Sequence, residues 1–180
     1  MLFRKTPAAF VARAALLLGA LGLASLTPPF ETLVLAPLRE LNADLTEGTL
    51  RALGIATDRR GLFIYGPTGF GIEVIDECTG ATLALILIAL TLAFPASWKA
   101  RLACLGLGSA LIFVMNFLRL VSLFLIGIHW PELFHGLHVF VWQGTFIILV
   151  FVYWYVWASR TGGGGGAASP AAADRPQAAR

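Results

Sequence analysis

The chain has 180 residues, 58% of them hydrophobic and 13% charged, with a mean hydropathy of +0.80; this is too apolar for an ordinary soluble domain and reads as an integral membrane protein. A formal net charge of +3 and a pI near 9.2 would suit a nucleic-acid partner only if the basic residues formed a stripe with interleaved aromatics, and none does away from the termini and one inter-span loop. The charge instead reads as membrane topology, with Trp98, Trp130, Trp154 and Trp157 as markers of the headgroup zone.

The first apolar stretch, about 10–27, follows Arg4 and Lys5 and stops at Thr27-Pro28-Pro29. It just reaches spanning length. Its small residues, "LGALGLAS", would also suit a signal-peptide cleavage site, but Arg13 interrupts the run and further spans follow, so an uncleaved helix is expected. Residues 28–77 are mixed in character and form the one sizeable water-facing segment. "TLVLAPLRELNADLTEGTLRALGI" has helical apolar spacing, and "GLFIYGPTGFGIEVI" has the aromatic, β-branched and glycine pattern of strand and turn. A short amphipathic helix followed by a surface hairpin is expected there.

A second apolar run, about 79–95, is stopped by Pro95 and followed by Lys99 and Arg101; a third covers about 102–128 and is broken by Trp130-Pro131-Glu132; a fourth covers about 138–158 and ends at Arg160. Residues 161–180 are low-complexity and read as a flexible cytoplasmic tail. The expected fold is therefore an all-α integral membrane protein with about four transmembrane helices and a small outer-face loop region between the first two. The positive-inside rule puts Arg4, Lys5, Lys99, Arg101, Arg160 and both termini on the cytoplasmic side. Cys78, His129, His135 and His138 then share the outer face. Cys78 and Cys104 fall on opposite sides of the second span, so each is expected as a free thiol.

Arg119 is the costliest residue in the chain, nine residues or roughly 13 Å from the outer end of the third span at helical rise. An arginine there must snorkel, pair or line a hydrated cavity, and the functional reading outweighs a snorkelling one. Asn116 lies one turn away on the same face, as a functional partner or as helix-packing glue. Cys104, among Leu and Gly, reads as a small buried hydrophobe. Cys78 differs, because it precedes an apolar helix whose N-terminal dipole would favour a thiolate, with Thr79-Gly80 letting a substrate backbone approach. Asp76 and Glu77 oppose a thiolate by charge, cap the helix, or meet a basic group. His135 and His138, three apart, fall on one helical face. A zinc site from Cys78 and two histidines is the competing idea, but the spacing matches no metal signature, so no metal and no cofactor are expected. The alternative for the three histidines is an interfacial role without chemistry. A thiol, an imidazole and a guanidinium from three helices at one membrane face point to nucleophilic acyl transfer through a thioester.

The motifs "ECTG" around Cys78 and "NFLRLVSLFLIG" with Asn116 and Arg119, followed by a histidine at the start of the next helix, resemble the exosortase/archaeosortase family of multi-pass membrane transpeptidases. The likeness covers roughly 77–157. "HVFVWQGTFIILVFVYWYVW" is similar to the short exosortase H branch, with a histidine four residues before Trp-Gln, which selects His138 over His135. Many exosortases have more spans, so homo-oligomerisation or a partner would complete the cavity here. The resemblance implies an exosortase-like transmembrane domain over 1–160, in a bacterial inner membrane, with the site towards the periplasm. It implies as partners exported proteins carrying a C-terminal sorting signal: a motif of the IPTLxxWG type, a hydrophobic helix and a basic end. Cys78 would be the nucleophile, Arg119 would assist the carbonyl and His138 would be the acid/base, before transfer to a surface acceptor. Asn116, Glu77, Gly80, His135 and Gln143 would bind substrate or support the site. Two other readings compete: a non-catalytic membrane assembly protein using Arg119, Asn116 and His138 as a packing network, and an ion pathway, which lacks a chain of acidic residues.

Overall fold

The computed structural model describes residues 7–162; Arg4, Lys5 and the expected tail from 163 onward lie outside them. The first helix, α1, is Pro7–Ser25 rather than 10–27, because Thr27 is extended (φ −87°, ψ 145°). Pro28 and Pro29 do not open a loop. They occupy the first positions of a second helix, where a missing N–H leaves no hydrogen bond unmade. This helix, α2, covers 28–52 without a break: Pro28–Phe30, a π-helical stretch over Glu31–Leu35, then regular helix over Ala36–Ala52. It is the amphipathic helix expected from its spacing, and it buries Asn42, Ala43, Thr46 and Leu50 on one side.

The expected hairpin is instead a three-stranded antiparallel meander of β1 (Asp58–Arg60), β2 (Phe63–Tyr65) and β3 (Gly71–Glu73). Ile64 pairs with Arg59 on one side and Ile72 on the other, and its side chain is fully buried against the helices. Gly61, at φ +64°, supplies the left-handed residue of the β1–β2 turn.

The second apolar run forms α3 (Ala81–Ala93), ended by an extended Phe94 before Pro95. The third forms α4 (Trp98–His129), four residues longer at its start than expected and N-capped by Ser97, whose side chain accepts from the Ala100 amide. Trp130 breaks the helix at φ −141°. The outer loop expected before 138 is absent, because Pro131 again starts a helix. That last helix, α5, covers 131–162, with a π-helical stretch over Leu137–Trp142. The described residues are thus mainly helical, with a small sheet added.

Three helical stretches are long and apolar enough to cross a bilayer: Ala8–Ser25, Trp98–His129 and Pro131–Thr161. The fourth expected span, α3, is not confirmed by length: its 13 residues extend only ~20 Å against a hydrocarbon core of roughly 30 Å. α3 is the inner helix of the group. It packs Leu90 and Ala93 against Ala14 of α1, and Leu87 against Cys104 and Ile112 of α4 and Val150 of α5. A separate core lies where α2, the sheet and the end of α4 meet, built from Ala43, Leu50, Ile64, Val74, Leu120 and Phe124. The segment carrying Cys78 joins these two cores.

Candidate active site

Between β3 and α3, Asp76–Cys78 forms a single 3₁₀ turn entered from an extended Ile75. The Cys78 amide donates to the Ile75 carbonyl at 2.9 Å, and the Thr79 amide to that of Asp76 at 3.0 Å. The Thr79 hydroxyl donates to the same Asp76 carbonyl at 2.7 Å and accepts from the Ala81 amide at 3.1 Å, satisfying one free donor at the start of α3. Gly80 turns the chain at φ +75°, and a Cβ there would lie 2.9 Å from Ile112 Cγ2. Its lack of a side chain therefore admits α4 as well as the left-handed turn.

Cys78 thus lies in its own turn just before α3 rather than at the helix N-terminus itself. Burial pushes its thiol above the ordinary range, more than the positive Arg119 pulls it down. The Cys78 backbone carbonyl accepts from Asn116 Nδ2 at 2.5 Å, and the same Nδ2 donates to Asn42 Oδ1 at 3.1 Å.

Arg119 reaches sideways from α4. One terminal nitrogen donates to His138 Nε2 at 2.7 Å, the other to the Glu77 carbonyl at 3.4 Å. Its guanidinium carbon lies 5.7 Å from the centre of the Phe146 ring. A guanidinium has no acceptor, so Nε2 must be the acceptor, and His138 is the neutral tautomer with its proton on Nδ1. The imidazole also stacks on Phe134 at 5.6 Å. Asn116 Oδ1 and Arg119 Nε are buried without a hydrogen-bond partner.

One cavity of about 420 Å³ gathers Cys78, Arg119, His138, Asn116, Glu77, Gly80 and Gln143, with Ile86, Phe146 and Ile147 among its apolar walls. Seven of the eight residues singled out from the sequence are therefore together. His135 is not: it is exposed on the first turns of α5 and does not line the cavity. Its three-residue spacing from His138 straddles the start of the π-helical stretch at Leu137. His129 also lies elsewhere, its Nδ1 bonded to the Leu125 carbonyl at 2.8 Å. Among the described residues, no three His, Cys, Asp or Glu side chains gather closely enough to hold a metal ion, and no hydrogen bond joins the Cys78 sulfur to His138.

Two residues not anticipated complete the surroundings. Arg39 of α2 binds Asp76 at 2.5 Å and also pairs with Glu31. Asn42, one turn on, is wholly buried and holds Asn116. Asp76 therefore meets a basic group, while the Glu77 side chain stays exposed and only its carbonyl faces Arg119.

The arrangement offers a sheltered thiol, an imidazole and a guanidinium around one cavity. A sequence model of the transmembrane exosortase family matches residues 2–157. No curated protein and no solved structure matches the chain.

Proposed function

The chain belongs to the transmembrane exosortase family, and from that premise we propose that it is a membrane cysteine transpeptidase acting through a Cys78 thioester. The observation that carries this reading is the convergence of Cys78, Arg119 and His138, from a turn and two helices far apart in sequence, on one cavity. Its substrates are exported proteins with a C-terminal sorting signal, of the IPTLxxWG type expected from the resemblance. The site faces the periplasm of a bacterial inner membrane, and the two ends of the helical domain lie on the cytoplasmic side with Lys99, Arg101 and Arg160.

In the resting state the lone pair of His138 Nε2 is engaged by Arg119. An incoming scissile carbonyl gives Arg119 a better acceptor, and its shift to that oxygen frees Nε2. The imidazole then takes the proton from the Cys78 thiol, and the sulfur attacks the carbonyl carbon. Arg119 stabilises the resulting oxyanion in a poorly hydrated space, where fixed charge is most effective. Collapse breaks the C–N bond, the imidazolium protonates the departing amine, and the thioester remains. An acceptor nucleophile next attacks the thioester, passes its proton to His138, and the thiolate leaving group recovers that proton to regenerate Cys78. The reading is tested by trapping a substrate acyl group on Cys78 with co-expressed substrate, and by Cys78→Ala. Loss of both the adduct and processing, with normal insertion, is expected; unchanged processing in Cys78→Ala would overturn it.

A packing role is favoured by one observation, the buried chain from Asn42 through Asn116 to the Cys78 carbonyl. On that reading Cys78→Ala is silent and Asn116→Leu lowers abundance.

A further inference from the structure

The nucleophile turn is only three residues long, too short to hold its own geometry. It is bound from outside at two points, and both lead to the same face of α2. At one point Arg39 grips the Asp76 carboxylate. At the other Asn116 grips the Cys78 carbonyl, and Asn42 grips Asn116.

The backbone of α2 is shaped for the first grip. Glu31 and Arg39 are eight residues apart, which in regular helix would set them about 80° apart around the axis. The π-helical stretch over Glu31–Leu35 takes up one extra residue, so the pair behaves like residues seven apart, about 20° from alignment. Glu31 and Asp76 then hold Arg39 from both sides. Such charge-assisted bonds fix a fork-shaped guanidinium in direction as well as place.

The second grip is set by amide orientation. Asn42 Nδ2 donates to the Leu38 carbonyl at 2.8 Å, which leaves its Oδ1 to accept from Asn116. Asn116 Nδ2 therefore faces two acceptors, Asn42 Oδ1 and the Cys78 carbonyl. A flipped Asn116 amide would set oxygen against oxygen at both.

We propose that α2 is the positioning element of the nucleophile, with Arg39 acting through Asp76 and Asn42 acting through Asn116 to hold the Cys78 turn in the cavity. Neither Arg39 nor Asn42 lines the cavity, so both are positioning residues. The inference rests on the reading of Cys78 as nucleophile, but its test does not need substrate.

The test is alkylation of Cys78 by iodoacetamide, followed by mass against pH on the full-length protein in detergent, in a Cys104→Ala background. The charged groups acting on the thiol are Arg119 of α4 and Glu77 and Glu73 beside it; Asp76 and His138 of α5 line the same cavity. Arg39→Gln and Asp76→Ala should each release the turn, raise the alkylation rate at neutral pH several-fold and lower the pH midpoint towards that of a free thiol. The double variant should be no faster than the faster single, because both break one link. Arg39→Lys should recover part of the wild-type rate, and Asn42→Ala should change rate and midpoint in the same direction as Arg39→Gln. A wild-type rate and midpoint in Asp76→Ala, or effects of Arg39→Gln and Asp76→Ala that add in full, would overturn the proposal; Asp76→Ala and Arg39→Lys give this answer even where Arg39→Gln does not fold. Should Cys78→Ala retain processing, the catalytic reading fails while the alkylation results still decide whether α2 holds the turn.

Discussion

At Cys78, burial and the Arg119 charge pull in opposite directions, and burial is the larger effect. Burial disfavours the anionic sulfur, so the midpoint of alkylation against pH should lie above the ordinary thiol value of about 8.5. Arg119 favours the anion. Its replacement in Arg119→Gln should therefore move the midpoint further up and slow alkylation at neutral pH, and a downward move would show that the charge does not act on the sulfur. That Cys78, Asn116, Arg119 and His138 belong together, as the one cavity they line shows, was legible in the sequence because polar groups stand out against apolar runs. The state of the thiol was not, since it depends on how deeply the turn before α3 is covered, and the sequence alone suggested a helix dipole that would lower it. Arg39 and Asn42 were also hidden. In a stretch where eight of the thirteen residues from Arg39 to Arg51 are polar or charged, nothing marks the two whose partners lie on a distant turn.

The elements were legible by length and apolarity, and their ends were misread where proline was involved. Pro28 and Pro131 looked like breakers but serve as first residues of α2 and α5, since proline lacks only an N–H that the first turn does not use. The three strands have three residues each, too few for alternation to register as a pattern. What holds the sheet is tertiary: the Phe70 ring lies over Gly127 of α4, so close that a Cβ there would be 2.0 Å from the ring, and it meets Phe124 edge-on at 6.1 Å. Gly127→Val should force the ring away and destabilise the protein by roughly 1–3 kcal/mol, the usual cost of overpacking. Thermal unfolding in detergent would show this as a lower midpoint, and Phe70→Ala in the same chain should recover part of the loss. No change in Gly127→Val would mean that the sheet is not seated on α4 through this contact.

For the whole molecule, the depth of Arg119 changes once α4 is measured from its other end. Counted from the outer end of the expected span, the arginine seemed to lie far inside the membrane. But one face of the last turns of α4 is covered by protein: Leu120 and Phe124 are buried in one cluster with Ile64 and Val74, and Phe70 lies over Gly127. In the topology proposed above, Trp98, Lys99 and Arg101 mark the cytoplasmic boundary, and Arg101 is anchored there by a 3.0 Å bond to the Phe94 carbonyl and by the Trp98 ring. Asn116 then stands eighteen residues up the helix, about 27 Å at helical rise, which nearly exhausts a hydrocarbon core of about 30 Å. Arg119, one turn further, reaches the opposite boundary, where a charge costs far less than at the bilayer centre. The Cys78 turn, bonded to Asn116, lies at the same level, and the short α3 need not cross alone because α1, α4 and α5 surround it. The exposed Leu107 and Leu118 of α4 provide the test. With single spin labels at Leu107→Cys and Leu118→Cys, in a Cys78→Ala and Cys104→Ala background in proteoliposomes, Leu107 should show the strong oxygen contact of the bilayer centre. Leu118 should show much stronger contact with a water-soluble relaxant, as a site at the boundary does. Equal depth at the two positions would return Arg119 to the membrane interior and remove the reason for placing the cavity at its surface.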